Sequence, residues 1–266
     1  MSDTVRLEIE GGLATVTLDR PELHLINRQM INELREASHS LTRNDNVRVV
    51  VITGSGEQYF TAGVDVKEMV SFDVATARDF IRNLHLAIKS YHEMDKVTIA
   101  AINGSCFGGG CELAMACDIR VASSSAMLGL PEIKVGIPSV IEAALLPLLI
   151  GAGRARELIL LGDAINAEEA ERIGLVNKVV PANKLKAGVK EITGCLLSYS
   201  PVALIQQKRI LNYWLPSEYE TAIAFSMEAF SQCFATGEPR EAMTAFLEKR
   251  KPHFGTARNK TSTPPR

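Results

Sequence analysis

Two uninterrupted runs of mostly β-branched and apolar residues, Val47 to Thr53 and Val97 to Asn103, constrain this chain more than any other feature. A strand that shows one face to water alternates apolar and polar side chains, so a strand without that alternation must be covered on both faces. Between the two runs, Phe80, Ile81, Leu84, Ala87, Ile88 and Tyr91 recur at helical spacing. The chain opens differently. Thr4 to Glu10 alternates through Val5, Leu7 and Ile9, Gly11 and Gly12 turn the chain, and Leu13 to Leu18 alternates again, which predicts a hairpin. Met30, Ile31, Leu34, Ala37 and Leu41 predict the first helix. The unit of the first half is therefore strand, strand, helix.

From Ile137 onward the pattern is mostly helical. The spacing predicts helices over Ser139–Ile150, Arg154–Leu161, Ala167–Ile173, Ala182–Leu197, Val202–Tyr213, Ser217–Ala235 and Arg240–Lys251, interrupted only by a strand over Leu175–Val180. Pro252 is expected to end the last helix, and the Thr-, Pro- and base-rich tail to Arg266 is expected to fray. At 266 residues the chain suits one large α/β domain or a domain with an appendage, and we expect a core over 1–195 and a helical region over 196–266.

Composition excludes several classes. Hydrophobic residues make up 46% and charged residues 23%, which rules out global disorder. Lys and Arg number 29 against 31 Asp and Glu, a net charge of −2, so no overall basic excess draws the chain to nucleic acid or anionic lipid. The longest apolar stretch, Ala143–Ile150, is far short of the roughly 20 residues a span requires. The acidic start (Asp3, Glu8, Glu10) does not suit a secretory or mitochondrial presequence and the terminal residues do not form a peroxisomal signal, which leaves the cytosol as the expectation. Five cysteines without a paired spacing read as buried thiols, and the five histidines show no metal spacing, so no metal is expected.

Three segments invite a functional reading. Tyr59-Phe-Thr-Ala-Gly-Val-Asp-Val-Lys-Glu-Met69 runs small residues from a buried strand into an amphipathic turn. Asn103-Gly-Ser-Cys-Phe-Gly-Gly-Gly-Cys-Glu-Leu-Ala114 brings a buried strand through glycines into a helix whose first amide groups carry partial positive charge. It matches neither a P-loop nor a dinucleotide fingerprint, and tight packing would explain the glycines equally well. Leu128-Gly-Leu-Pro-Glu-Ile-Lys-Val-Gly-Ile-Pro138 sets Glu132 among apolar residues, as Glu112 is set at the start of an apolar helix. A carboxyl in such surroundings must be paired, hydrated or raised in pKa, and two of them suggest acid/base work on a shared water. Separately, Glu112 reads as a charge on the helix dipole and Glu132 as a turn residue.

Together the three segments resemble the crotonase superfamily, the enoyl-CoA hydratase/isomerase family. Phe60-Thr-Ala-Gly-Val-Asp-Val-Lys-Glu-Met69 is similar to one family signature and Asn103 to Ala114 to another; Leu18-Asp-Arg-Pro-Glu22, Ala167 to Val176 and Met243 to Pro252 extend the likeness over nearly the whole chain. The resemblance implies an α/β fold, a crotonase-like ββα spiral core with a helical C-terminal trimerisation region, assembled as a homotrimer or a dimer of trimers. It implies that the backbone N–H groups of Val64 and Gly109 hold a thioester carbonyl, and that Ala62, Asp65, Val66 and Lys67 lie along the acyl-CoA. Phe246 and Lys249 would reach the CoA of a neighbouring subunit, although the basic run Lys249 to Lys251 also reads as a solvated helix end. Family hydratases carry two glutamates, matched by Glu112 and Glu132, whereas isomerases commonly keep only the second. The implied reaction is hydration of a 2-enoyl-CoA or its reverse, with Glu112 orienting and activating water and Glu132 exchanging the proton with substrate. Coenzyme A enters as part of the substrate and no separate cofactor is implied.

The sequence departs from the family pattern in two places. Where hydratases continue Pro-Gly-x-Gly-Gly-Thr-Gln-Arg-Leu, this chain has Pro138-Ser-Val-Ile-Glu-Ala-Ala-Leu-Leu146, so Glu142 replaces a glycine near the expected acyl pocket and reads either as a pocket contact or as an exposed helix charge. His24 stands where an asparagine is common and reads as a CoA-side contact or a surface residue. Two alternatives to the hydratase are an isomerase on the same fold and a non-catalytic RNA-binding relative; Arg28 to Arg43 mixes acids with arginines and holds no lysine, which disfavours the second.

Overall fold

The structure is a computed structural model and describes residues 3–254; the tail expected to fray lies outside the described residues. The hairpin forms as β1 (Val5–Glu10) and β2 (Leu13–Leu18), and α1 (Arg28–Thr42) follows, with the Asn27 side chain accepting the Met30 N–H at its start. Then come β3 (Val49–Gly54), β4 (Tyr59–Thr61), the single turn α2 (Val66–Met69) and α3 (Val74–Glu93), whose start is closed by reciprocal Asp73 and Thr76 hydrogen bonds. The next units are β5 (Val97–Ile102), β6 (Ser105–Phe107) and α4 (Gly109–Ala116), then β7 (Ile119–Ser123) and β8 (Met127–Gly129). The remainder comprises α5 (Leu146–Ile150), α6 (Ala152–Leu161), β9 (Ile165–Asn166), α7 (Ala167–Arg172), β10 (Lys178–Val180), α8 (Leu185–Leu197), α9 (Pro201–Trp214), α10 (Tyr219–Cys233) and α11 (Glu238–Leu247).

After the opening hairpin, each pair of short-linked strands divides between two sheets. The larger sheet runs β1-β2-β3-β5-β7-β10, antiparallel at the opening hairpin and parallel thereafter; the smaller runs β4-β6-β8-β9. Thus β3/β4, β5/β6 and β7/β8 each place their first strand in the larger sheet and their second in the smaller, which arranges the strand-strand-helix unit as the ββα spiral that the resemblance implies.

The two β-branched runs have the environment their composition requires. In β3, Val50 and Ile52 face the main core with Val16, Ala100 and Ile102, while Val49 and Val51 join Ile99 and Val121 beneath Leu185 and Val189 of α8. Both faces are dry. Burial of a side chain of this size stabilises by about 1.5–3 kcal/mol, so polar substitution on either face of β3 opposes folding.

Several sequence expectations need correction. The helix expected over Ser139–Ile150 is broken: Ile141–Leu145 is a 3₁₀ turn and only Leu146–Ile150 is α-helical, with Pro147 within its first turn, and a separate 3₁₀ turn, Glu132–Val135, lies before it. A further 3₁₀ turn, Ala182–Lys184, precedes α8. The strand expected over Leu175–Val180 shortens to β10, and β9 adds a second strand to the C-terminal half. The last helix ends at Leu247, before Pro252, with Lys249 at φ +54° just beyond it. Cys106, Cys111 and Cys117 are buried as expected of thiols in a core, whereas Cys195 is exposed. No described helix is long and apolar enough to cross a membrane, and among the described residues no group of three or more His, Cys, Asp and Glu is placed to hold a metal ion.

Candidate active site

The site is built where the two sheets' short strands deliver three loops to the N-terminus of α4. The first loop, Ala62 to Asp65, is held open by backbone pairing to its neighbour: Ala62 N–H donates to Leu23 O, Ile26 N–H to Gly63 O and Asp65 N–H to Ile26 O. Asp65 then caps α2 through Lys67 N–H and receives Arg20 Nη2 at 2.8 Å. Its carboxylate is therefore a brace for the loop. His24 belongs to the same brace. It is buried, its Nδ1 accepts the Arg20 N–H, and its Nε2 lies 2.9 Å from Ser55 O, so Nε2 carries the hydrogen. It is neither on the surface nor on the cavity wall.

The second loop enters α4 through Gly108 and Gly109. Gly108 precedes the helix at φ +53°, a conformation that favours glycine, and a Cβ there would stand 2.8 Å from Glu132 Oε1. Two residues further on, a Cβ on Gly110 would come within 2.2 Å of Thr61 Cγ2, so the first turn of α4 lies directly on β4. The space beside Gly109 is bounded by Val64 Cγ2 and Leu84 Cδ2, each 3.3 Å from where its Cβ would be. Val64 and Gly109 are thus neighbours, and among the described residues neither backbone N–H has a hydrogen-bond acceptor. Two free amides, one in the loop and one at the start of α4, can donate to an oxygen that gains negative charge, and in such an arrangement one donor is worth about 3 kcal/mol.

The third loop carries the second acid. Glu112, in the first turn of α4, and Glu132, in the Glu132–Val135 turn, both line a cavity of about 480 Å³ that also touches Ala62, Val64, Gly108 and Gly109. The opposite wall is apolar, formed by Met69, Phe72, Phe80, Ile81, Leu84 and Ile137. Glu112 is 3% exposed and, among the described residues, accepts only the Ala143 N–H, at 3.2 Å. Burial first, and the Glu132 carboxyl second, hold the Glu112 carboxyl up at about 9, against the pull of the Ala143 N–H. Glu132 is half-buried, and its Oε2 accepts the Ser139 hydroxyl at 2.7 Å. Two carboxyls repelling each other over one cavity can exchange a single proton through a shared water.

Of the residues singled out in sequence, the structure brings Ala62, Val64, Val66, Gly109, Glu112 and Glu132 to this cavity. Lys67 is exposed on α2 beside the lining Val66. Phe246, 81% exposed on α11, and Lys249 do not line the cavity within this chain. Glu142 corrects both of its readings, because it is neither an exposed charge nor part of the cavity wall. It is buried in the Ile141–Leu145 turn with Oε1 2.7 Å from His85 Nδ1. Sequence reasoning missed Ser139, the Ala143 N–H, His85 and the brace from Arg20. It also missed two cations on the cavity wall: Arg78, and Lys134, which is tied to Asp163 at 2.6 Å. Ser139 and Ala143 fall in the stretch that departs from the family's glycine pattern, and Arg20 and Lys134 fall in segments singled out for other residues; His85 and Arg78 had no signal.

Comparison with known proteins supplies an independent view of this arrangement. The family profile described as enoyl-CoA hydratase/isomerase matches residues 8–257. A short-chain-enoyl-CoA hydratase of Clostridium acetobutylicum is 41% identical over 94% of this chain and 96% of its own. A crotonyl-CoA hydratase of Syntrophomonas wolfei is 40% identical over 95% of this chain and 98% of its own. Among solved structures, an enoyl-CoA hydratase from Bacillus anthracis superposes with a TM-score of 0.91 at 32% identity, covering 94% of this chain and 98% of that one.

Proposed function

The chain belongs to the enoyl-CoA hydratase/isomerase family, and from that premise we propose that it is a hydro-lyase adding water across the C2=C3 bond of a short 2-enoyl-CoA, or removing it in reverse. The observation that carries this reading is the pair of carboxyls, Glu112 and Glu132, on one cavity with the two free amides of Val64 and Gly109. Addition of hydroxide at C3 pushes electron density onto the thioester oxygen, and donors fixed beforehand at that oxygen stabilise the enolate-like state more than the ground state.

The proton balance needs both acids. Water loses a proton to one carboxylate as its oxygen bonds to C3, and the other carboxyl gives a proton to C2 as the enolate collapses. The shared proton favours Glu112, which burial holds up at about 9. Its passage to Glu132 through the bound water prepares the pair in which Glu112 activates water and Glu132 protonates C2. Ser139 keeps Glu132 Oε2 turned to one side, so that Oε1, which Gly108 approaches closely, remains the reacting oxygen. Coenzyme A is carried by the substrate, with Lys67 near its thioester arm and Phe246 and Lys249 supplied by a neighbouring copy of the chain. No further cofactor takes part.

The test is the loss of enoyl absorbance with a series of 2-enoyl-CoA thioesters, beginning with crotonyl-CoA. Glu112→Gln and Glu132→Gln should each lower kcat by about 10²–10⁴-fold, with CoA-thioester affinity nearly unchanged. Full activity in Glu112→Gln, or conversion of a 3-enoyl-CoA without incorporation of solvent oxygen, would replace this reading by a single-base isomerase.

A further inference from the structure

Glu142 takes no part in the chemistry above, yet it is an unusual carboxyl. It is 7% exposed, one oxygen meets His85, and the other, Oε2, is buried without a hydrogen-bond partner among the described residues. His85 and Lys89 face it from α3, and Glu112 is within its field from α4. The two residues beside it are equally particular. Ile141 stands at φ +43°, where a β-branched side chain crowds its own backbone, and Ala143 donates its N–H to Glu112 Oε1. Strained backbone persists only where surrounding contacts hold it, and here the contact from the middle of the turn is Glu142 with His85.

We propose that Glu142, anchored by His85, is a positioning residue for Glu112: it holds the turn through which the Ala143 N–H reaches that carboxyl and, when ionised, adds its charge beside it. The kinetic half of this inference rests on the hydratase reading; the electrostatic half does not. Shape and charge separate by substitution. Glu142→Gln keeps the size and an oxygen that accepts from His85 but removes the charge, whereas Glu142→Ala removes both.

Two measurements test it. One is the pH dependence of kcat for enoyl-CoA hydration. The other, independent of turnover, is the titration of Glu112 followed by ¹³C NMR of carboxyl-labelled glutamate, its signal identified by its loss in Glu112→Gln. We expect Glu142→Gln to keep kcat within about threefold at its optimum while moving the Glu112 titration, and the matching limb of kcat, to lower pH. Glu142→Ala and His85→Ala should lower kcat on the order of 10- to 100-fold with KM within about twofold, as a displaced catalytic group does. If Glu142→Ala does not fold, Glu142→Gln and His85→Ala carry the test. A Glu112 titration in Glu142→Gln that coincides with the unsubstituted protein overturns the proposal. So does a fall in melting temperature and rise in KM, without loss of kcat, in the two alanine variants. An unsubstituted protein with no hydratase turnover would remove the functional reading and leave the NMR titration to decide the role of Glu142.

Discussion

Glu112 illustrates how one residue couples stability to chemistry. Its carboxyl stands at about 9 in the folded chain against an ordinary value of 4.5, because burial disfavours the charged form and Glu132 adds like charge. The folded state therefore holds a proton that the unfolded chain releases between those two values, so this group lowers stability progressively as pH rises from about 4.5 towards 9. Glu112→Gln cannot ionise, and its side-chain oxygen can still accept the Ala143 N–H. Its melting temperature should exceed that of the unsubstituted protein by roughly 3–8 °C at pH 9 and converge with it near pH 4.5. Calorimetric scans that run parallel across this range would show that the carboxyl is not held protonated. At the neighbouring Gly108, alanine meets both a positive φ and the Glu132 carboxylate. Gly108→Ala should cost about 1–2 kcal/mol of stability and lower kcat/KM by about 10²-fold through displacement of Glu132. Urea melts and steady-state kinetics on the same preparation would separate the two effects.

Among the elements, α9 depends on one buried cation. Lys208 is 4% exposed, and its Nζ reaches Asp118 Oδ2 at 2.8 Å, Lys96 O at 2.9 Å and Tyr91 O at 3.3 Å. Arg209 next to it pairs with Asp95 at the surface, a contact that contributes little by comparison. Removal of the buried cation takes a donor from two carbonyls and leaves Asp118 with only its Thr98 donors and no counter-charge, so Lys208→Met should destabilise by about 3 kcal/mol. For a chain of this size that corresponds to a melting temperature lower by about 6–12 °C. Arg209→Met measured alongside should move it by less than about 2 °C. Equal effects of the two substitutions would mean that α9 is held by its apolar packing and not by this ion pair.

At the scale of the whole molecule, the helices after the spiral core expose several large apolar side chains. Trp214, Met227, Phe230, Phe246 and Leu247 on α9, α10 and α11, and Phe234 just beyond α10, are all more than 45% exposed. The expected outcome is self-association through this region into trimers or pairs of trimers. Light scattering after gel filtration should therefore give a mass of at least three times 29.0 kDa. Truncation before Arg240 removes Phe246 and Lys249 and should both weaken assembly and raise KM for the CoA thioester. A truncated chain that keeps its mass and its KM would exclude α11 from both roles.

Local features of the sequence determined the fold family, the strand-strand-helix unit, the two strands covered on both faces, and the pair of acids on the cavity. Each of these is written in residues close together: a β-branched run, a glycine cluster entering a helix, a carboxyl among apolar neighbours. What only the tertiary structure decided depends on partners far apart in the chain. Ala143 reaches Glu112 across 31 positions, and His85 reaches Glu142 across 57. The burial of His24 beneath Ser55 spans a further 31. The helix expected over Ser139–Ile150 failed for the same reason: its periodicity was helical, but contacts to α3 and α4 hold Ile141 at a positive φ that no local preference would select. Periodicity reports which face of an element is dry, whereas a hydrogen bond between distant elements leaves no pattern in either one.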